Sequence, residues 1–520
     1  MAALRRLVQR NNANVASLPA PIGGWNARDS LANMAPTDAV TLDNYFPGVS
    51  NVNLRGGYSK HATGLPGQVE SLLSYAGAAT NKLFAVSDGK IYDVTSAGAV
   101  GAPAVSGLSN SRWEYINVTT PGGNFLYAVN GVDKPQLYNG STWTAIDGAS
   151  SPAITGVTTT TLSNIALFKN RVWFIQKDSL KAWYLPTLSV GGVAQELDLS
   201  AVAKLGGTLV ALGTWTIDAG YGVDDNLVFV TDKGEIIVYR GTDPSSASTW
   251  ALIGVWMVGA PISKRCMMKY GGDLLLLTLD GLLPLASALQ SSRLDPNVAL
   301  SDKIQGAFAV AAQNYRNTFG WGMTYYANAN ALVVNVPVSV GSQEQFVMNN
   351  ITKAWCRFTG WHANCFNLLN DDLYYGGNEY VAKAWTTGST GYEDDTSNIE
   401  GFVLQAFNYF ESRGVKKYFT RARPSLFSNG QPAINIDLNV DFDLLRSTAA
   451  LAYTPISVGV WNTALWDTGL WGQDTVISNN WQGVTGIGFC ASVQLNSSSK
   501  NLQIQWASTD IVYQMGWAGI

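Results

Sequence analysis

Histidine is almost missing from this chain: two in 520 residues, His61 and His362. Neither falls in an H-E-x-x-H or another metal-ligand spacing, so the chain has no zinc-hydrolase pattern and no candidate imidazole base. Charge is scarce too. Asp, Glu, Lys and Arg make up 13% of the residues and sum to −4, unlike the basic face of a dedicated nucleic-acid binder. A protein past which DNA slides without sticking stays allowed. The four cysteines, Cys266, Cys356, Cys365 and Cys490, are scattered without a C-x-x-C. They are expected to be buried thiols made in a reducing cytoplasm, with no disulfide framework or zinc site.

The basic start MAALRRLVQRNN has no apolar stretch behind it and reads as no secretion signal. The longest apolar run, LLLLTLDGLLPLASAL from Leu274, is broken by Asp280, Gly281 and Pro284; it predicts two strands and a turn, not a membrane span. No G-x-S-x-G elbow or Walker loop occurs. GIGFCA (486–491) matches the dinucleotide fingerprint only superficially, because its flanks are β-like and no helix follows.

What the chain does have is turn chemistry between apolar runs. With 47% hydrophobic residues, 52 Gly and 18 Trp, it reads as an all-β body with many tight turns. LFAVSDGKIYDV (83–94) sets the pattern, and LVFVTDKGEIIVY, LLLLTLDGLLPL, YYANANALVVNV and DLYYGGNEYVAKAW repeat it. Asp-Gly and Asn-containing turns tolerate the positive φ of tight hairpins. With Gly89, Gly131, Asp178, Gly234, Gly281, Asn330 and Gly376 as markers, the period is roughly 40–50 residues, the spacing of propeller blades. The expected fold is a β-propeller of six or seven blades over 66–411, interrupted by a short helix within 301–317. Residues 1–20 read as an extension. Residues 21–65 are expected to pack with 412–520 as a β-sandwich-like platform. In that last segment Ile434, Ile436, Leu438, Val440 and Phe442 alternate with Asn435, Asp437, Asn439, Asp441 and Asp443, which predicts one strand with an apolar and an acidic face.

Carboxylates are the remaining chemical candidates, since glycosidases use two of them. The adjacent acids at 224–225, 371–372 and 394–395 read as solvated turns, and the Asp437/Asp441/Asp443 ladder as a wet strand face. The ladder lacks a loop that wraps calcium. No catalytic residue, cofactor or metal ligand is assigned. Trp461, Trp466 and Trp471 stand five apart, which fits neither helix nor strand. They suit a domain core, a subunit contact or a sugar surface.

The stretch 25–58 carries a specific resemblance. Trp25-Asn26-Ala27-Arg28-Asp29, Met34-Ala35-Pro36-Thr37-Asp38-Ala39, Leu42-Asp43-Asn44-Tyr45-Phe46-Pro47 and Arg55-Gly56-Gly57-Tyr58 resemble the tail nozzle family of short-tailed bacteriophages, also called tail tubular protein B. Arg423-Pro424, Asp441-Phe442-Asp443, the Trp run and the closing QIQWASTDIVYQMG agree with it. The resemblance implies a structural, non-enzymatic virion protein. Its subunits would form a homohexamer in the viral tail, below the head–tail adaptor, and extend the channel for genome ejection. Tail fibres or spikes are possible neighbours, and DNA passes without specific binding. On that reading Asp437, Asp441, Asp443, Asp371 and Asp372 are candidates to line the lumen. Trp25, Arg28, Lys416, Lys417, Arg421 and Arg423 join the Trp run as candidates for packing or assembly. A carbohydrate-binding or depolymerising propeller of a phage tail is the alternative.

Overall fold

A computed structural model describes residues 13–216, 225–289, 298–388, 391–447 and 476–516. It is all-β, with 54% strand and 5% helix. The chain divides into two compact units: one of residues 58–346 and 359–384, the other of 1–57, 347–358 and 385–520.

The first unit is a propeller of seven antiparallel meanders. Blade 2 is formed by Glu114–Thr120, Gly123–Val129, Gln136–Tyr138 and Trp143–Ala145. Blade 3 is Leu162–Phe168, Arg171–Gln176, Lys181–Tyr184 and Gln195–Asp198, and blade 4 is Leu209–Thr216, Asp225–Thr231, Glu235–Gly241 and Trp250–Met257. Three strands make blade 5 (Met267–Tyr270, Asp273–Thr278, Gly281–Pro284), and blade 6 begins with Gly322–Tyr326, Ala331–Ser339 and Ser342–Asn349.

The ring closes through one long strand, Gly57–Tyr75. Its first half pairs beside Asn378–Thr386, completing blade 7 with Cys365–Leu369 and Asp372–Gly376. Its second half, from Val69, pairs with Lys82–Ser87 and opens blade 1, which continues in Lys90–Asp93. Backbone hydrogen bonds therefore join the end of the ring to its beginning.

Strands this apolar need cover on both faces, and the blades supply it to one another. Leu73, Phe84, Trp113 and Tyr138 fill the space between blades 1 and 2. Tyr127, Phe174 and Leu185 do so between 2 and 3, and Trp173, Phe229 and Trp250 between 3 and 4. The indoles of Trp173 and Trp250 stack at 5.5 Å.

The expected helix is present as Gln305–Tyr315, between blades 5 and 6. Six of the seven markers fall at the turn between the second and third strands of a blade. Asn330 does not: it is a left-handed residue (φ 50°) between the first and second strands of blade 6. The matching turn there holds Gly341 at φ 80°; the inserted helix displaces it along the chain.

The second unit has two sheets. One runs Val476–Ser478, Lys417–Ser428, Ile504–Met515, Val52–Leu54, Tyr45–Pro47. The strand Asn14–Pro19 is added on Ile504–Met515, so part of the expected extension is sheet. The other sheet contains Trp355–Phe358, Asp38–Asp43, Ile399–Gln405, Ala491–Ser499 and Ala433–Val440. The sheets meet where the buried Tyr45 hydroxyl contacts Ser497 Oγ at 2.8 Å; burial pushes that phenol's pKa up. Residues 385–411, assigned to the propeller from sequence, belong to this unit because Ile399–Gln405 pairs with Asp38–Asp43 and Ala491–Ser499.

All four cysteines are buried and unbridged. Burial pushes the Cys266 and Cys365 thiols up to about 12, and raises Cys356 and Cys490 as well. Thiolate is the reactive form. At pH 8 the native protein should therefore be inert to a thiol-titrating disulfide reagent over minutes, and the urea-unfolded protein should titrate all four thiols. A thiol reacting rapidly in the native protein would contradict this packing.

Candidate functional site

The innermost strands of the seven blades surround a central channel with a cavity of about 260 Å³, lined in turn by Leu72, Tyr115, Ile165, Leu212, Met267, Met323 and Phe366. Arg265, just before blade 5, sends its guanidinium to the far wall. Its Nη1 donates to the Glu70 carbonyl (2.9 Å), and its Nη2 to Ser71 Oγ (2.7 Å) and the Trp113 carbonyl (3.1 Å). Its Nε donates to Glu114 Oε1 at 3.0 Å. These acceptors belong to blades 1 and 2, so the residue is a strut across the ring. Desolvation opposes its charge, but the nearby Glu114 carboxylate, with smaller contributions from Cys365 and Glu70, keeps its pKa raised.

Glycoside chemistry would need two converging carboxylates beside an accessible indole. Among the residues lining this cavity the carboxylate is Glu114, held by Arg265, and the indoles of Trp113 and Trp321 are buried. Among the described residues no group of His, Cys, Asp and Glu could hold a metal ion.

In the second unit, the 25–58 stretch forms a polar knot. Asn26 Nδ2 donates to Asp38 Oδ2 (2.7 Å) and Asp29 Oδ2 (2.9 Å), while its Oδ1 accepts from the Arg28 and Asp29 amides. Asp43 takes a two-pronged contact from Arg357 at 2.8 Å on each oxygen. Arg55, fully buried, donates to Asn44 Oδ1 (2.9 Å), the Gly56 carbonyl (2.9 Å) and both oxygens of Asp394 (2.8 and 2.6 Å). The Gly-Gly pair after it has a steric cause. A Cβ on Gly57 would overlap the Glu393 carbonyl, and one on Gly56 would press against that of Thr386 at 2.8 Å.

Most of the residues singled out from sequence have local partners. Trp25 is buried with the Arg357 guanidinium 5.9 Å from its ring. Arg28 pairs with its neighbour Asp29 at 2.8 Å on the surface, an arrangement that contributes little to stability. Asp372 bridges to Lys383 at 2.5 Å, which raises the lysine's pKa, and Asp371 occupies a left-handed turn position (φ 65°).

The acidic ladder does not exist as one face. The strand ends at Val440, and Asp441 and Phe442 take left-handed conformations (φ 49° and 65°). Asp437 contacts the Leu438 amide at 2.8 Å, Asp443 the Leu445 amide at 3.0 Å, and Asp441 closes on the Phe489 amide at 2.7 Å. Short polar side chains compete for nearby backbone in this way and end regular structure. Asp371 and Asp372 lie in the propeller unit and the other three in the platform.

The basic cluster separates as well. Lys417 is buried, not solvated, and its ammonium donates to the carbonyls of Ser412 (2.5 Å), Val415 (3.0 Å) and Phe489 (2.9 Å); burial lowers its pKa. Arg423 pairs with Asp510 at 2.6 Å and lies over Trp481. Lys416 lies over Phe489, and Arg421 is exposed. Trp461, Trp466 and Trp471 lie outside the described residues.

Sequence reasoning passed over Arg265, Glu114, Arg357 and Asp394. Asp394 was read as half of a solvated acidic turn; it is the counter-charge of a buried arginine. No local signal marks such residues, because their partners lie more than a hundred positions away.

No family model matches the chain, and no curated protein does. Solved structures do. The β-propeller domain of Cps50 (Swd1) from Myceliophteria thermophila is 13% identical, with 61% of this chain and 100% of that one covered and a TM-score of 0.39. YCF48 from Cyanidioschyzon merolae is 12% identical over 63% and 98%, with a TM-score of 0.35. The extracellular domain of a hybrid two component system from B. thetaiotaomicron is 9% identical over 64% of this chain and 45% of that one, with a TM-score of 0.39. At such values the likenesses add nothing to the strand pairing, on which the propeller assignment stands.

Proposed function

We propose that this chain is a structural subunit of a short-tailed bacteriophage virion: a tail nozzle protomer that assembles into a hexameric ring below the head–tail adaptor and extends the path of the ejected genome. The observation that carries this reading is the use made of the 25–58 stretch. The residues that resemble the nozzle family hold a platform together through Arg55–Asp394, Asp43–Arg357 and Asn26–Asp38. They serve architecture, and no ligand is needed to explain them.

On this reading the genome travels through a lumen enclosed by several copies, not through a propeller, whose own channel Arg265 crosses. The low charge suits that role, because lysines and arginines facing phosphates would bind and retain DNA. No described helix is long and apolar enough to cross a membrane, and docking to adaptor and fibres would proceed in the host cytoplasm during assembly.

Electron microscopy of the purified protein and of virions tests the proposal. The expected images show closed rings of this chain, with a lumen wide enough for duplex DNA, on the tail axis. A chain that stays monomeric and is found off that axis, or that cleaves saccharides, defeats it.

A further inference from the structure

At the end of the propeller channel where the innermost strands begin, a second cavity of about 320 Å³ opens among loops of blades 2, 3, 5 and 6. Four cationic side chains reach its wall: Arg112, Lys177, Lys264 and Arg265. Two are committed. Arg112 donates to Glu70 Oε1 from both Nε and Nη2 at 3.0 Å, and Arg265 holds Glu114. Both guanidiniums rest against the Phe319 ring, at 4.2 and 5.5 Å.

Lys177 and Lys264 are not committed. Among the described residues neither ammonium has a hydrogen bond or ion pair, and they repel each other across the cavity. The carboxylates that face Lys264 are Glu114, already engaged, and Asp178, which acts from a distance. Desolvation by the cavity wall is the largest cause lowering the Lys264 pKa, although the residue, like Lys177, is exposed overall. Four cations against the single carboxylate of Glu114 line this cavity, so its field favours an anion, and a perturbed, unpartnered group there is a binding-site candidate.

We propose that this cavity binds a small anion, a carboxylate or phosphate group, between the Lys177 and Lys264 ammoniums and beside the Arg112–Phe319–Arg265 stack. The site goes beyond the structural role proposed above and does not depend on it: the propeller presents it whether or not the chain forms a ring.

Calorimetric titration of the full-length protein with inorganic phosphate, and separately with citrate, tests it. The expected result is saturable binding of at least one at millimolar concentration; the stronger of the two identifies phosphate or carboxylate as the preferred group. Lys264→Gln and Lys177→Gln should each weaken binding by about tenfold or more, as loss of a charge-assisted hydrogen bond does. Lys134→Gln, which removes a surface lysine paired with Asp147, should leave it unchanged. Circular dichroism of the variants separates lost binding from lost folding. Absence of saturable binding of both anions to the wild-type protein overturns the proposal, as does undiminished binding in a folded Lys177→Gln/Lys264→Gln double variant.

Discussion

Arg55→Met should destabilise the platform by about 3–5 kcal/mol, the range for removing one partner of a buried ion pair. The substitution retains much of the side-chain volume, so the loss is electrostatic. It leaves the Asp394 carboxylate, whose side chain is 13% exposed, without its cation, and Asn44 Oδ1 without its donor. Desolvated charge left unpaired accounts for most of the cost. The expected readout is hydrogen exchange in the platform strands Lys417–Ser428 and Ile504–Met515, faster by about two to three and a half orders of magnitude at roughly 1.4 kcal/mol per decade. Adding Asp394→Asn should recover part of the loss, because the neutral amide needs no counter-charge. A double variant that is no better than Arg55→Met would show that the two residues are not an energetically coupled pair.

Arg265→Met should act on the other unit. Three carbonyl or hydroxyl acceptors and one carboxylate each lose a donor. Glu114 keeps some solvent, with a side chain 24% exposed, so about 2–4 kcal/mol is expected and not the full cost of a dry pair. The strut joins blade 5 to blades 1 and 2. Its loss should therefore loosen Met267–Tyr270 and the second half of Gly57–Tyr75 together, while platform exchange stays near the wild-type rate. Fast exchange confined to blade 5 would show that the arginine supports only its own loop. Urea denaturation alone is a weaker test, since a chain of two units need not unfold in one step.

These two residues also mark where sequence reading stops. The hairpins were legible because positive φ restricts the choice of residue: Gly89, Gly131, Gly234 and Gly281 all have it. Blade number was less so, since the helix Gln305–Tyr315 displaces the turn of blade 6 and one strand serves both blade 7 and blade 1. Unit boundaries blurred where an apolar strand looks the same in either environment: nothing in IEGFVLQ (399–405) says that its partners are Asp38–Asp43 and Ala491–Ser499. The acidic alternation at 434–443 was over-read by one turn, because Asp441 prefers two backbone amides to the strand. Charge partners were the least legible. Arg265 precedes an ordinary strand, and Asp394 sits in an ordinary Asp-Asp turn; only the closed ring and the assembled sheets make either one special.

The strand Asn14–Pro19 lies against Ile504–Met515, which gives the platform a temporal order during synthesis on the ribosome. At about 5–20 residues per second, the N-terminal strand waits on the order of half a minute or longer for its partner to be translated. The propeller segment, made in between, can complete itself first. Residues 14–19 thus spend that interval as an unpaired β-edge, a template for the wrong neighbour, and their sheet can close only after the propeller segment has been made.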